Sequence, residues 1–375
     1  MTKVLVIGGG FAGCCAAHMS ADRGWDVTLV ERAPFLGGGV KTLWYGGHPY
    51  TYGPRHFLTE KEELFDWLNQ YVPMRHIGKE HENMTFVERD SAFYTWPIHA
   101  DDVERMPEAE EIKQQIAEAP GAGGAKNFEE VWVRSIGQIM YGKFAETYSK
   151  KMWQVESNTE LDGFDFAEEG EETKLNVRLK TGPRAAWHRG DVISAFPLAP
   201  NGYDDYFDIA TRDVDVKLST EVEVFDVENY RCKIDGEWND YDIIISTTSP
   251  EILMNNAFGE LRWMGRDFFK IVLPVEWVFP ENVIFLYYAN EEPFTRIVEY
   301  KKFYRNESSS SLIGLEIPSK RNKLYPFPAR KDRDIAQKYF DAMPEKVFSI
   351  GRLGSYEYID VDDIIDQCLE LMKKI

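Results

Sequence analysis

Residues 3–33, "KVLVIGGGFAGCCAAHMSADRGWDVTLVERA", read as a strand, a glycine turn, a helix and a second strand. The unbroken apolar run Val4–Ile7 suits a strand buried on both faces of a parallel sheet. Ala12 to Met19 is rich in small residues and suits a helix lying close on that strand, and "WDVTLVE" supplies the strand that returns beside it. This is one βαβ unit. Gly8, Gly10 and Gly13 satisfy GxGxxG at its first turn, and Glu31 ends its second strand. Small residues there let the backbone approach a pyrophosphate at the positive end of the helix dipole, and the acidic residue accepts from ribose hydroxyls. A bare GxGxxG is weak, but its position between strand and helix, with Glu31, points to dinucleotide binding.

A second glycine cluster follows in "RAPFLGGGV". A nicotinamide cofactor has no special need of it, whereas an extended FAD can use a second close backbone approach, so FAD is the expected cofactor. The candidate cofactor residues of this region are Gly8, Gly10, Phe11, Ala12 and Gly13, then Glu31 and Arg32, then Gly38 and Gly39.

Beyond this unit, the chain is mostly helical in pattern from about Ala100 to Trp153, with "PGAGGAKN" as an internal break. From Lys174 to about Phe327 it favours strands: "TKLNVRLK", "VDVKLS", "YRCKID", "DIIISTT", "VIFLYYA", "TRIVEYKKF" and "SLIGLEI". It closes on a strand, "KVFSIGRL", a turn, "GSYEYID", and the helix "VDDIIDQCLELMKKI". The expected architecture is α/β: a discontinuous Rossmann-like FAD-binding domain with a helical insert and a mixed or antiparallel β-sheet domain. The boundaries implied are 1–80, 191–250 and 330–375 for the FAD-binding domain, 97–166 for the helical insert, and 170–190 with 260–327 for the sheet domain.

Composition narrows the function. A chain of 375 residues with 43% hydrophobic and 14% aromatic content can bury a large core. Its net charge of −20, without a basic patch, argues against nucleic acid and anionic lipid as partners. Cys14, Cys15, Cys232 and Cys368 lack CxxC spacing and the seven histidines are scattered, so no metal site is expected. No apolar run is long enough to span a bilayer, and the N-terminus lacks a basic region before its apolar strand, so a cytoplasmic location is expected.

Four motifs then carry a resemblance: "GRLGSYEYID" (351–360), "PFTRIVEYKKF" (293–303), "YSKKMW" (148–153) and "YGPRHF" (52–57). Together they resemble the UDP-galactopyranose mutase family, flavoenzymes that contract the sugar ring of a UDP-hexose. The resemblance implies that Arg352, Asp360 and Val361 belong to the flavin site and that Tyr358 meets the substrate phosphate. Arg296 would meet the pyrophosphate, with Arg178 in "NVRL" as a second arginine on a lid, a role for which Arg184 competes. Tyr148 and Trp153 would frame the uracil, and Glu316 and Tyr325 would lie near the sugar and phosphates. Asp360 would also adjoin the substrate. Taken without the family, Tyr148 and Trp153 read as core aromatics and Arg296 with Glu299 as a surface pair.

The resemblance further implies a reaction in which N5 of reduced FAD attacks the anomeric carbon as UDP leaves, with closure through another hydroxyl giving the furanose. An external reductant, NAD(P)H or a reductase, and a homodimer come with it, as does surface-polysaccharide synthesis. Rival readings are an FAD-dependent amine-oxidase-like enzyme and a non-catalytic flavin-containing UDP-sugar binding protein. The motif "YGPRHF" departs from the family's histidine pattern: Arg55 stands where a histidine is usual, followed by His56. Both are candidate catalytic and flavin-contacting residues. A permanent cation with five donors at 55 could donate to an acetamido carbonyl, which widens the expected substrate from UDP-galactose to UDP-N-acetylgalactosamine.

Overall fold

The computed structural model describes residues 1–52, 56–168, 175–186 and 192–375. Arg55 lies outside the described residues.

Lys3–Ile7 and Asp26–Val30 pair in parallel, with the helix Phe11–Ala21 between them in sequence. All but the last residue of that helix are buried. Its face of Ala12, Gly13, Ala16 and Ala17 lets the backbone settle on Val4 and Val6, as a sheet covered on both faces requires. Ile243–Ser246 joins the other side of Lys3–Ile7, and Val347–Ser349 pairs beyond it. With Asp215–Lys217 at the opposite edge, the result is a five-stranded parallel sheet built from widely separated stretches of chain. The closing helix Val361–Lys374 packs on it through Val361, Ile365, Cys368, Leu371 and Met372. Asp360 caps that helix, and Asp363 reaches back to complete the capping box.

The helical stretch holds five helices: Ala100–Val103, Ala109–Glu118, Phe128–Ile136, Gln138–Phe144 and Glu146–Trp153. Gly137, at φ +89, ends one and starts the next, a conformation open to glycine at little cost.

The second large sheet has seven strands, in the order Tyr325–Pro326, Trp263–Leu273, Ser311–Ser319, Arg296–Glu299, Val283–Tyr288, Glu82–Val87 and Ala92–Trp96. The last two join from outside residues 170–190 and 260–327. The eleven-residue strand Trp263–Leu273 has no counterpart among the strands expected from sequence. "TKLNVRLK" differs in the opposite sense: within 175–180 only Lys180 pairs, through an isolated bridge to His99. Its alternating Val177 and Leu179 pack on the helical insert instead, so the period-2 pattern buries side chains without a neighbouring strand. "TRIVEYKKF" is a strand only to Glu299, and Lys301–Tyr304 form a helical turn. "YRCKID" lies in a separate three-stranded antiparallel sheet of Val222–Asp226, Arg231–Ile234 and Glu237–Asp240.

Candidate active site

The glycine turn is shaped by close approach. Gly8 has φ +97, and a Cβ on Gly13 would run into the Gly8 carbonyl. Gly10 differs, because a Cβ there would meet nothing within 4 Å. Gly37 donates from its N–H to the Gly9 carbonyl at 2.7 Å, and a Cβ on Gly38 would stand 3.1 Å from Gly10 Cα. The two glycine clusters are therefore one surface, with Gly38 and Gly39 in the short turn Gly38–Val40. Glu31 is pinned beside it: one carboxylate oxygen accepts from Gly9 N at 2.6 Å and the other from Ala33 N at 2.7 Å. Phe11 sends its ring into the core, stacked on Tyr206 at 5.3 Å, and Ala12 is buried. Arg32 is exposed. An open, glycine-lined space at a helix N-terminus with an adjacent carboxylate fits the pyrophosphate and ribose of a dinucleotide.

This geometry separates two substitutions. Gly10→Ala is expected to leave the melting temperature of the cofactor-free protein nearly unchanged while weakening flavin binding at least tenfold, because its methyl occupies ligand space. Gly13→Ala is expected to destabilise the fold itself. Thermal melts with and without flavin, alongside flavin titration, read both effects.

The C-terminal motif meets the same surface. A Cβ on Gly351 would stand 2.8 Å from Ala12 Cβ, which sets the turn Gly351–Gly354 against the first helix. From that turn Arg352 donates through Nε to the Ile359 carbonyl at 2.8 Å and through a terminal nitrogen to Asp360 at 2.6 Å. Its guanidinium lies 5.0 Å from the Tyr325 ring and 5.1 Å from Tyr358, and those rings stack at 5.4 Å and 14°. Val361 is buried behind the Asp360 cap.

Tyr325 leads from this stack to the seven-stranded sheet. Its ring faces a second guanidinium, that of Arg266, at 5.0 Å. Arg266 shares the wholly buried carboxylate of Glu316 with Arg296, whose terminal nitrogen donates to the other oxygen at 2.8 Å. The register makes this arrangement: Arg296 and Glu316 are direct partners across adjacent antiparallel strands, and Arg266 comes from the strand beyond. Side-chain exposure is 6% for Arg266, 0% for Glu316 and 14% for Arg296, so two cations share one anion in a dry setting. Burial works against the charge of Arg296, but Glu316 outweighs it and holds the guanidinium above its ordinary range. Arg296 also lies 4.5 Å over the Phe285 ring. Tyr148 reaches the same face at Tyr287, 6.1 Å between centroids.

The polar groups on this face are under-satisfied. Nε of Arg266, Nε of Arg296, Oδ1 of Asn83, Oγ1 of Thr85 and the Tyr300 hydroxyl are buried with no hydrogen-bond partner among the described residues. Asn83 and Thr85 share the face by register with Phe285 and Tyr287. Each such atom costs about 1–3 kcal/mol, so a face that gathers five of them is one that a polar ligand would complete.

The structure thus brings Arg296, Glu316, Tyr325, Tyr358, Arg352, Asp360 and Tyr148 into one connected surface. Trp153 packs edge-on to Phe327 in a core that also holds Leu161, Met264 and Tyr325, with Tyr148 packed against it. His56 is buried edge-on to Phe303 at 4.6 Å, and meets the site through Phe285 at 6.2 Å. Its neighbour His81 is pushed down to about 4 by burial and by the Arg75 cation, and so is neutral. Arg178 is exposed, and Arg184 is tied to Asp102 at 2.8 Å and to Thr95. Arg266 is the residue that sequence reasoning missed. Its signal was an arginine at an inward position of the alternating run "WMGRDFFKIVL".

Among the described residues no group of three or more His, Cys, Asp or Glu could hold a metal ion, and no helix is long and apolar enough to cross a membrane.

A parallel sheet with a glycine cradle, joined through stacked tyrosines to a buried arginine pair, has the architecture of a nucleotide-cofactor enzyme. Residues 143–358, more than half of the chain, match the UDP-galactopyranose mutase family, and residues 6–71 match an NAD(P)-binding Rossmann-like domain. The chain belongs to the UDP-galactopyranose mutase family. It is 23% identical to a probable UDP-galactopyranose mutase of Klebsiella pneumoniae, over 98% of this chain and 93% of that one. It is also 23% identical to a dTDP-fucopyranose mutase of Escherichia coli, over 99% and 97%. Its fold matches a crystal structure of reduced UDP-galactopyranose mutase with a TM-score of 0.78 at 17% identity, covering 100% of this chain and 93% of the other.

Proposed function

We propose that the protein interconverts the pyranose and furanose forms of a UDP-hexose and works with FAD in its reduced state. The observation that carries this reading is the buried Arg266–Glu316–Arg296 group, joined through Tyr325 to Arg352 and the glycine cradle. When bound, the reduced flavin supplies a nucleophile for the anomeric carbon. Gly8, Gly10, Gly13 and Glu31 hold the adenosine diphosphate half of the cofactor, and Arg352 orients its flavin end. Arg296 and Arg266 take the diphosphate of the sugar nucleotide and stabilise the charge that builds on it as it leaves, since planar donors in a dry site lose little to reorganisation. Glu316 keeps both guanidiniums aligned before substrate arrives. Tyr148 covers the nucleoside side, and Tyr358 closes over the phosphates.

Galactose and N-acetylgalactosamine are the sugars this reading favours, with Arg55 as the residue that would favour the latter. The E. coli relative adds dTDP-fucose to the panel worth testing. An external reductant, a cytoplasmic setting, a homodimer and surface-polysaccharide synthesis complete the reading. The test is turnover of the FAD-loaded protein with each sugar nucleotide, with and without dithionite, followed by chromatography of the pyranose and furanose forms. Interconversion is expected only after reduction. A protein that binds FAD and UDP-sugar without turnover would be a binding protein instead, and one that consumes oxygen on amines an oxidase.

A further inference from the structure

The strand Glu82–Val87 carries a polar row to which the reaction as proposed gives no part. His81, Asn83, Thr85 and Val87 are buried and alternate with half-buried neighbours, so all four turn to one face of the sheet. Three of them hold a buried polar atom with no hydrogen-bond partner among the described residues: Nδ1 of His81, Oδ1 of Asn83 and Oγ1 of Thr85. Burial this complete on a strand ordinarily selects Val or Ile, and each unpaired group costs about 1–3 kcal/mol. Three in succession therefore point to a polar ligand that completes them.

The row has a direction. At one end His81 stands edge-on to His56 at 6.3 Å, beside the motif 52–57, and at the other Val87 packs with Tyr94 in the core of the helical insert. From that insert the helix Glu146–Trp153 brings Tyr148 onto Tyr287. Arg296 lies between the two ends, its guanidinium 4.5 Å from the Phe285 ring and 5.8 Å from Tyr287. Those two rings are the cross-strand partners of Asn83 and Thr85. Asn83 and Thr85, about 6.6 Å apart along the strand, thus flank the rings on which Arg296 rests.

We propose that Asn83 and Thr85 read the sugar nucleotide along its length, Thr85 on the nucleoside side of the diphosphate and Asn83 on the sugar side. This rests on the reading that Arg296 and Arg266 take the diphosphate and Tyr148 the nucleoside. Oδ1 of Asn83 accepts, and so selects a sugar hydroxyl, whereas the Thr85 hydroxyl both donates and accepts and suits the nucleoside. Both determine specificity, because a site built to bond a hydroxyl leaves its own group unpaired when the wrong ligand enters.

Thr85→Val keeps the shape and removes the hydroxyl, and Asn83→Leu removes the amide at nearly the same volume. Both variants are expected to melt at or above the wild-type temperature, because each sheds an unpaired buried group. Calorimetric titration of the oxidised, FAD-loaded protein with UDP and with UDP-galactose reads the rest. Thr85→Val should bind both ligands about three- to tenfold more weakly, the worth of one hydrogen bond, and Thr85→Ser should return to wild-type affinity. Asn83→Leu should bind UDP as the wild type does and UDP-galactose about three- to tenfold more weakly. Variants that bind both ligands as tightly as the wild type overturn the inference, as does an Asn83→Leu protein that loses UDP as much as Thr85→Val does. A wild-type protein that binds neither ligand overturns the sugar-nucleotide reading itself, and this inference falls with it.

Discussion

Glu316→Ala is expected to destabilise the folded chain by about 3–5 kcal/mol, the cost of leaving buried charge without its partner. Glu316 is wholly buried and is the carboxylate between Arg266 and Arg296. Without it two guanidiniums face each other in a low-dielectric setting, neither can lose its proton, and water does not replace the lost anion at no cost. Glu316→Gln keeps the shape and removes the charge, so most of the loss should persist in that variant. The site reading adds a sharper expectation: an anion that binds between the arginines should restore part of what the carboxylate supplied. Urea unfolding with and without UDP measures this, and UDP should stabilise Glu316→Ala more than it stabilises the wild-type protein. A loss below about 1 kcal/mol would mean that the two arginines do not depend on Glu316.

Arg296→Ala is expected to lower turnover by about 10²–10³, or roughly 3–4 kcal/mol of transition-state stabilisation, while flavin content stays as in the wild type. The split follows from position. Arg296 stands on the sheet over Phe285, whereas the cofactor surface proposed above is built from Gly8–Gly13, Gly37–Gly39 and Arg352. Arg296→Lys should recover little, because a point charge cannot donate to Glu316 and to a phosphate oxygen in one plane. Arg352→Ala should act in the reverse sense, losing flavin first. Near-normal kcat/KM in Arg296→Ala would place the leaving diphosphate elsewhere.

What the amino-acid sequence carries by itself is local or motif-borne. GxGxxG works through backbone approach within six residues, and here Gly8 has φ +97, a Cβ on Gly13 would meet the Gly8 carbonyl, and one on Gly10 would meet nothing within 4 Å. Arg352, Tyr358 and Asp360 sit within one decapeptide, and the turn that joins them is short enough for the motif to carry their geometry. Arg266 was not legible in this way. An arginine in an alternating strand is ordinarily a surface residue, and only antiparallel register puts it beside Glu316, fifty residues away in sequence. Trp153 lies between the two cases: its motif identifies it with the site, and packing sets its ring edge-on to Phe327 in the core it shares with Tyr325.

The sequence by itself determined the parallel nucleotide-binding sheet, its glycine turn and the closing helix, because apolar runs and glycine conformations act over a few residues. It also determined which arginines and tyrosines travel together as motifs. Tertiary structure alone decided that Glu82–Val87 and Ala92–Trp96 extend the second sheet, and that residues 175–180 lie on the helical insert. It alone decided that Arg266 and Arg296 share one carboxylate. Strand pairing is set by partners far away in the chain, and a charge becomes a binding group only when burial removes the water that would otherwise screen it.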